Sequence, residues 1–218
     1  MTVHNLSEQN SVLNQFLAEI RDVNIHGDRL RFRKNIERIG EIMAYEISKS
    51  LSYSTVTVQT PLGVSSLPLL SDQPVLATIL RAGLPFHQGF LEIFDKAENA
   101  FVSASRKYNP DHTHFEIVVE YLSAPSIEGR TLLIVDPMLA TGGSLDLAYR
   151  TLLKRGEPKE IHIAAVIASR RGIEKVQALF PSEKTTVWVA AIDPELNNRA
   201  YIVPGLGDAG DLAYGEKI

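Results

Sequence analysis

Thr131 to Asp146 reads TLLIVDPMLATGGSLD. Its first five residues, Thr131 to Val135, are apolar or β-branched and suit a strand buried on both faces. The run ends on a carboxylate, Asp136, and passes through Pro137, Met138 and Leu139 into a turn of small residues, Ala140-Thr141-Gly142-Gly143-Ser144. A helical pattern then extends from about Ser144 to Leu153, with Lys154 and Arg155 near its end and Gly156 placed as a left-handed cap, as the helix dipole asks. The segment is one strand–loop–helix unit, and the fold depends on whether that unit repeats.

It does. Val75 to Leu80 is a short apolar run ending at Arg81-Ala82-Gly83, followed by a helical Pro85 to Phe94. Phe101 to Ser105 and Ile161 to Ala168 read as strands, Ile173 to Phe180 as a helix, and Thr186 to Ile192 as a strand. Near-continuous apolar strands alternating with helices predict an α/β fold, a mostly parallel central sheet with helices on both faces. Ligands of such sheets bind beyond the carboxyl ends of the strands, so the loops after Leu80, Val135 and Ile192 should converge. Upstream, Ile36, Ile39, Met43 and Ile47 form one stripe of a helix from Leu30 to Leu51. Arg29, Arg31, Arg33, Lys34 and Arg38 crowd its start, as a solvated basic face or as contacts to a partner. Thr60-Pro61-Leu62-Gly63 joins two strands as a hairpin, and His114 to Tyr121 reads as an arm outside the main sheet.

Bulk properties narrow the function. The 218 residues are 44% hydrophobic and 22% charged, enough for a packed core. A net charge of -4 and a pI near 5.9 lack the basic footprint of a nucleic-acid binder. There are no cysteines, hence no disulfide, thiolate metal site or cysteine nucleophile. With no apolar run of membrane-spanning length and no signal pattern in MTVHNLSEQN, a cytoplasmic protein without membrane partners is expected.

The Gly-rich turn ahead of a helix offers free N–H groups, a favourable dipole and the Thr141 and Ser144 hydroxyls to an anion. An ordinary serine cap would need the same letters. Asp136 favours the anion reading, because a carboxylate at that strand end can hold sugar hydroxyls or a hydrated metal. The loop is neither a Walker A sequence nor a Gly-x-Gly-x-x-Gly fingerprint.

Val135 to Ser144 resembles the phosphoribosyl-diphosphate (PRPP) motif of type I phosphoribosyltransferases, in the form typical of the uracil phosphoribosyltransferases, with Pro137 where most relatives carry a second acid. Ile79-Leu80-Arg81-Ala82-Gly83-Leu84 is similar to that family's pyrophosphate loop, and Tyr201 to Asp211 to its uracil-binding segment. The resemblance spans roughly residues 30 to 215. It implies the type I fold with a β-arm (107–124) and a C-terminal hood (193–218), all within a single domain of residues 1–218 whose first 28 form an N-terminal extension.

The reaction it implies is transfer of a phosphoribosyl group from PRPP to uracil, giving UMP and diphosphate in pyrimidine salvage. Asp136, Arg81 and Asp208 would be catalytic. PRPP would contact Arg81, Arg106, Asp208 and the run Asp136, Pro137, Met138, Leu139, Ala140, Thr141, Gly142, Gly143 and Ser144. Uracil would lie against Tyr201, Ile202, Gly207, Asp208 and Ala209. Mg²⁺ would arrive on PRPP without direct protein ligands, reached from Asp208 through water. A non-proline cis peptide is expected near Leu80, Arg81 or Ala82. The sequence departs from the family after Arg106, running Lys107-Tyr108-Asn109-Pro110-Asp111-His112, and the pair His112 and His114 is not taken as a metal site. The resemblance also implies a homodimer or homotetramer and leaves room for a nucleotide effector such as GTP. Two other readings share the motifs: a transferase for a purine, and a nucleotide sensor that binds RNA, which the acidic balance opposes.

Overall fold

The computed structural model describes residues 1–108 and 115–216, with the side chains of 104–118 not described. Its elements are β1 (Thr2–Asn5), α1 (Val12–Arg21), α2 (Arg29–Ser48), β2 (Tyr53–Thr60), β3 (Gly63–Leu70), β4 (Val75–Leu80), α3 (Leu84–Ile93), β5 (Glu98–Tyr108) and β6 (Phe115–Ser123). There follow β7 (Thr131–Val135), β8 (Met138–Leu139), α4 (Gly143–Leu152), β9 (Glu160–Ser169), α5 (Arg170–Leu179), β10 (Thr185–Asp193), β11 (Glu195–Leu196), β12 (Ile202–Val203) and α6 (Ala209–Tyr214).

The main sheet runs β1-β10-β9-β7-β4-β5-β6, with β8 added against β9. All its pairings are parallel except β5 with β6. Alternate strand residues feed two cores. Leu76, Leu133, Val135, Val166 and Ala190 pack against α1, α2 and α3. Val75, Ala77, Ile134, Ile163 and Val189 pack against α4 and α5. Each fully buried Leu, Ile or Phe contributes roughly 1.5–3 kcal/mol relative to exposure, which is why the strand runs are apolar on both faces.

Several expectations change. The segment placed outside the main sheet is its edge: β6 pairs with β5 over the full described length. The antiparallel pairing satisfies backbone groups that an isolated arm would leave to water. Residues 1–28 supply the opposite edge strand, β1, and helix α1, whose Leu13, Leu17 and Ile20 are buried. Gly156 closes a short 3-10 turn at φ +123° rather than in the left-handed helical region. The basic start of α2 is largely paired within the fold. Arg31 meets Glu19 at 2.8 Å, Lys34 meets Glu37 at 2.8 Å, and Arg33 donates to the Ala213 carbonyl at 2.7 Å. Among the described residues the hairpin β2–β3 pairs only with itself, and Leu62, Val64, Leu67 and Leu69 on it are exposed. No helix among the described residues is long and apolar enough to cross a membrane.

Candidate active site

β4 and β7 are parallel neighbours, so their following loops leave from one rim. The Thr78 hydroxyl donates to the Val135 carbonyl at 3.2 Å and locks the two strand ends together. After β7, the Asp136 N–H donates to Ala164 on β9, and the Ile167 N–H donates to the Pro137 carbonyl. The chain is therefore fastened on both sides of Asp136. The Asp136 carboxylate accepts one bond, from the Met138 N–H at 3.3 Å. The side chain is half-buried among the rim loops and keeps some contact with solvent. Burial pushes its pKa up to about 7, against the weak pull of the Met138 bond.

The loop that follows is not a serine cap. The N-cap of α4 is Gly142, at φ +75°, and no side chain caps the helix. Ser144 lies inside its first turn. The Gly143 N–H has only a long bond, 3.4 Å, to the Thr141 hydroxyl. Among the described residues the N–H groups of Gly142, Ser144 and Leu145 have no hydrogen-bond partner. Three open donors at a helix N-terminus suit an anion. The loop is held from below by α5: the Ser169 hydroxyl donates to the Ala140 carbonyl at 2.6 Å. A cavity of about 480 Å³ opens beside it, lined by Thr141, Gly143, Arg171, Glu174 and Lys175.

After β4, the Leu80–Arg81 peptide is cis, within the expected span. Gly83 is the tight point, because a Cβ there would lie 2.1 Å from the Thr78 hydroxyl and 2.7 Å from the Ile79 carbonyl. The Arg81 guanidinium, expected to contact diphosphate, reaches the hood through its Nη2. It donates to the Gly215 carbonyl at 2.9 Å and lies 3.5 Å from Asp211, and among the described residues Nη1 and Nε have no partner.

The hood is more regular than its Gly- and Pro-rich text suggests. Ala209–Tyr214 forms α6, and the Asp208 carboxylate caps it, accepting from the Asp211 N–H at 3.0 Å. Asp208, read as approaching a ribose or metal, thus spends one oxygen on local structure. Ile202, Leu206 and Ala209 are buried in the same cluster that Ala82, Met138 and Ala140 pack against, so hood and rim loops share a core. Tyr201 is half-exposed. Among the described residues the Gly207 N–H and carbonyl and the Ala209 N–H have no protein partner. One feature of the hood was missed from sequence. Asp193, buried at the end of β10, holds the Gly205 N–H at 2.9 Å and both Nη atoms of Arg21 at 2.8 and 2.9 Å. Arg171 and Lys175 were also missed; two arginines in a first turn with no acid were the available signal. The Arg106 side chain, His112 and His114 lie outside the described residues. Among those residues no three His, Asp or Glu converge as metal ligands.

A parallel sheet with this order, an uncapped helix N-terminus after the acid-bearing strand, and a hood packed over the rim define the type I phosphoribosyltransferase class. A hypoxanthine phosphoribosyltransferase from Staphylococcus aureus shares the fold at a TM-score of 0.50 and 16% identity, over 80% of this chain and 85% of that one. The AQ2163 protein from Aquifex aeolicus superimposes with a TM-score of 0.85 at 29% identity, covering all of both chains. Within the class, a family profile described as uracil phosphoribosyltransferase matches residues 7–216. A uracil phosphoribosyltransferase of Porphyromonas gingivalis is 57% identical over 218 residues, 100% of each chain. One of Pyrococcus furiosus is 37% identical over 97% of this chain and 89% of its own. The chain belongs to the uracil phosphoribosyltransferase family.

Proposed function

We propose that this protein transfers the 5-phosphoribosyl group of PRPP to N1 of uracil, releasing diphosphate and forming UMP for pyrimidine salvage. The observation that carries this reading is the uncapped loop from Ala140 to Ser144, whose open N–H groups follow Asp136 on the same connection after β7. The 5′-phosphate accepts bonds from that loop, and the ribose hydroxyls donate to Asp136. Pro137, Met138 and Leu139 hold the loop against β9 and belong to the same run of PRPP contacts.

Uracil presents an acceptor–donor–acceptor edge. The unpartnered Gly207 N–H and carbonyl and the Ala209 N–H supply two donors and one acceptor, with Ile202 and Tyr201 beside them. Cytosine would set an amine against a donor, a mismatch worth on the order of 10⁴ in selectivity when polar groups are left unpaired.

In the reaction the C1′–oxygen bond to diphosphate breaks and the C1′–N1 bond forms, with positive character on the ribose and negative charge on the leaving group. The two free donor groups of Arg81 neutralise that charge. The N1 proton leaves late, to solvent or to the Asp208 oxygen not used in capping. Mg²⁺ supplies further neutralisation of the diphosphate when bound. Asp208 would reach such a substrate-borne ion through water. We read the molecule as a homodimer or homotetramer, supported by the exposed apolar side chains of the β2–β3 hairpin, which solution scattering tests.

The deciding assay follows labelled uracil and PRPP to UMP and diphosphate, with cytosine, hypoxanthine, EDTA and GTP arms. Uracil-specific product that disappears with EDTA is expected. Failure to release diphosphate with uracil, or preference for a purine, refutes the assignment.

A further inference from the structure

Arg171 and Lys175 have no hydrogen-bond or ion-pair partner among the described residues, yet both line the cavity of about 480 Å³ beside the loop of residues 140–144. α5 is pressed onto that loop. A Cβ on Gly172 would lie 2.5 Å from the Leu139 carbonyl and 2.6 Å from that of Ala140, so only glycine lets the first turn approach so closely. The Lys175 stem runs over Gly142, where an added Cβ would lie 3.0 Å from Cγ and 3.2 Å from Cβ of the lysine. Lys175 thus lines the same opening as Thr141 and Gly143 of the loop.

The placement is electrostatically costly without a ligand. Arg170 and Arg171 both stand in the first turn of α5, where the dipole disfavours cations and no acid offsets them. Glu174 is the one acid in the lining, against two cations. Parallel β7 and β9 are neighbours, so the positive ends of α4 and α5 also open on this side. An anion bearing more than one charge is what such a surround is short of.

We propose that Arg171 and Lys175 are substrate-binding residues that grip the 5′-phosphate of PRPP from the α5 side, adding side-chain charge to the main-chain donors of the loop. This rests on the assignment of that loop to the 5′-phosphate. It explains why the helix after β9 carries paired cations at its positive end.

The test compares wild type with Arg171→Gln, Lys175→Met, the double variant and Lys175→Arg. The exposed Lys154→Met, at the far end of α4, serves as a charge control. Each single neutralisation should raise the KM for PRPP roughly fivefold, and the double roughly 25-fold, the scale of one partly screened cation facing a phosphate. The KM for uracil should stay within about twofold, Lys175→Arg should stay near wild type, and the double should lose part of the salt dependence of PRPP binding. Unchanged PRPP KM and salt dependence in the double variant overturn the proposal, as does an equal rise in uracil KM. Should wild type make no UMP, the functional assignment fails on its own. Calorimetric binding of ribose 5-phosphate then decides the cation pair: binding lost in the double supports it, and equal or absent binding in wild type overturns it.

Discussion

Asp136→Asn should stabilise the protein while disabling it. The wild-type carboxyl is held at about 7 by burial, from an ordinary 3.8. At about 1.4 kcal/mol per decade of proton affinity this amounts to roughly 4 kcal/mol. The side chain keeps some contact with solvent, so screening reduces the expected gain to about 2 kcal/mol. Because the folded-state pKa is raised, the folded chain binds the proton more tightly than the unfolded one. Wild type therefore pays no penalty below pH 3.8, and loses stability as pH rises from there to about 7, where the penalty is complete. Asparagine keeps the oxygen that accepts from the Met138 N–H and carries no charge at any pH. At pH 8 the variant should melt about 4–8 °C above wild type, and the two should converge near pH 4. Turnover of uracil should fall more than tenfold, because the group proposed to receive the ribose hydroxyls no longer ionises. Calorimetric scans at pH 4 and 8, beside a UMP assay, read both effects. Equal melting temperatures at pH 8, or full turnover, would refute the argument that an uncomfortable carboxylate is kept for its chemistry.

Arg21→Ala strips Asp193 of a two-pronged partner while leaving its charge buried; a loss of about 3 kcal/mol in urea titrations and a higher KM for uracil are expected, and an unchanged midpoint would show the pair to be idle. Gly83→Ala places a methyl 2.1 Å from the Thr78 hydroxyl, and should cost about 3 kcal/mol with weakened PRPP binding; a cost under about 0.5 kcal/mol would mean that the loop shifts freely. His87 and His162 are both buried, and burial lowers both their pKa values, against Asn99 in the first case and Glu160 in the second. The unfolded chain takes up their protons first, so the stability they contribute is present above about pH 6.5 and lost as pH falls below it. Removing the opposing Asp136 contribution should steepen that fall. Urea midpoints of Asp136→Asn from pH 8 to 5 that stay flat would contradict it.

Patterns confined to a few neighbours are legible in the sequence alone. Val75 to Leu80 and Thr131 to Val135 had to be buried strands, because apolar period and flanking turn chemistry act locally. The uncapped turn from Ala140 to Ser144 was legible as irregular, small-residue backbone after Asp136 for the same reason. The text could not show that the N-terminal Thr2–Asn5 strand would pair with β10, that Arg21 would find Asp193, or that Phe115–Ser123 would close the sheet. Nor could it show Lys175 lying across Gly142, or Arg81 reaching Gly215. Most of these partners are far apart in the chain, and no period or cap records them. They are chosen only when packing of two cores brings charges together out of water, where leaving one unpaired would cost several kcal/mol.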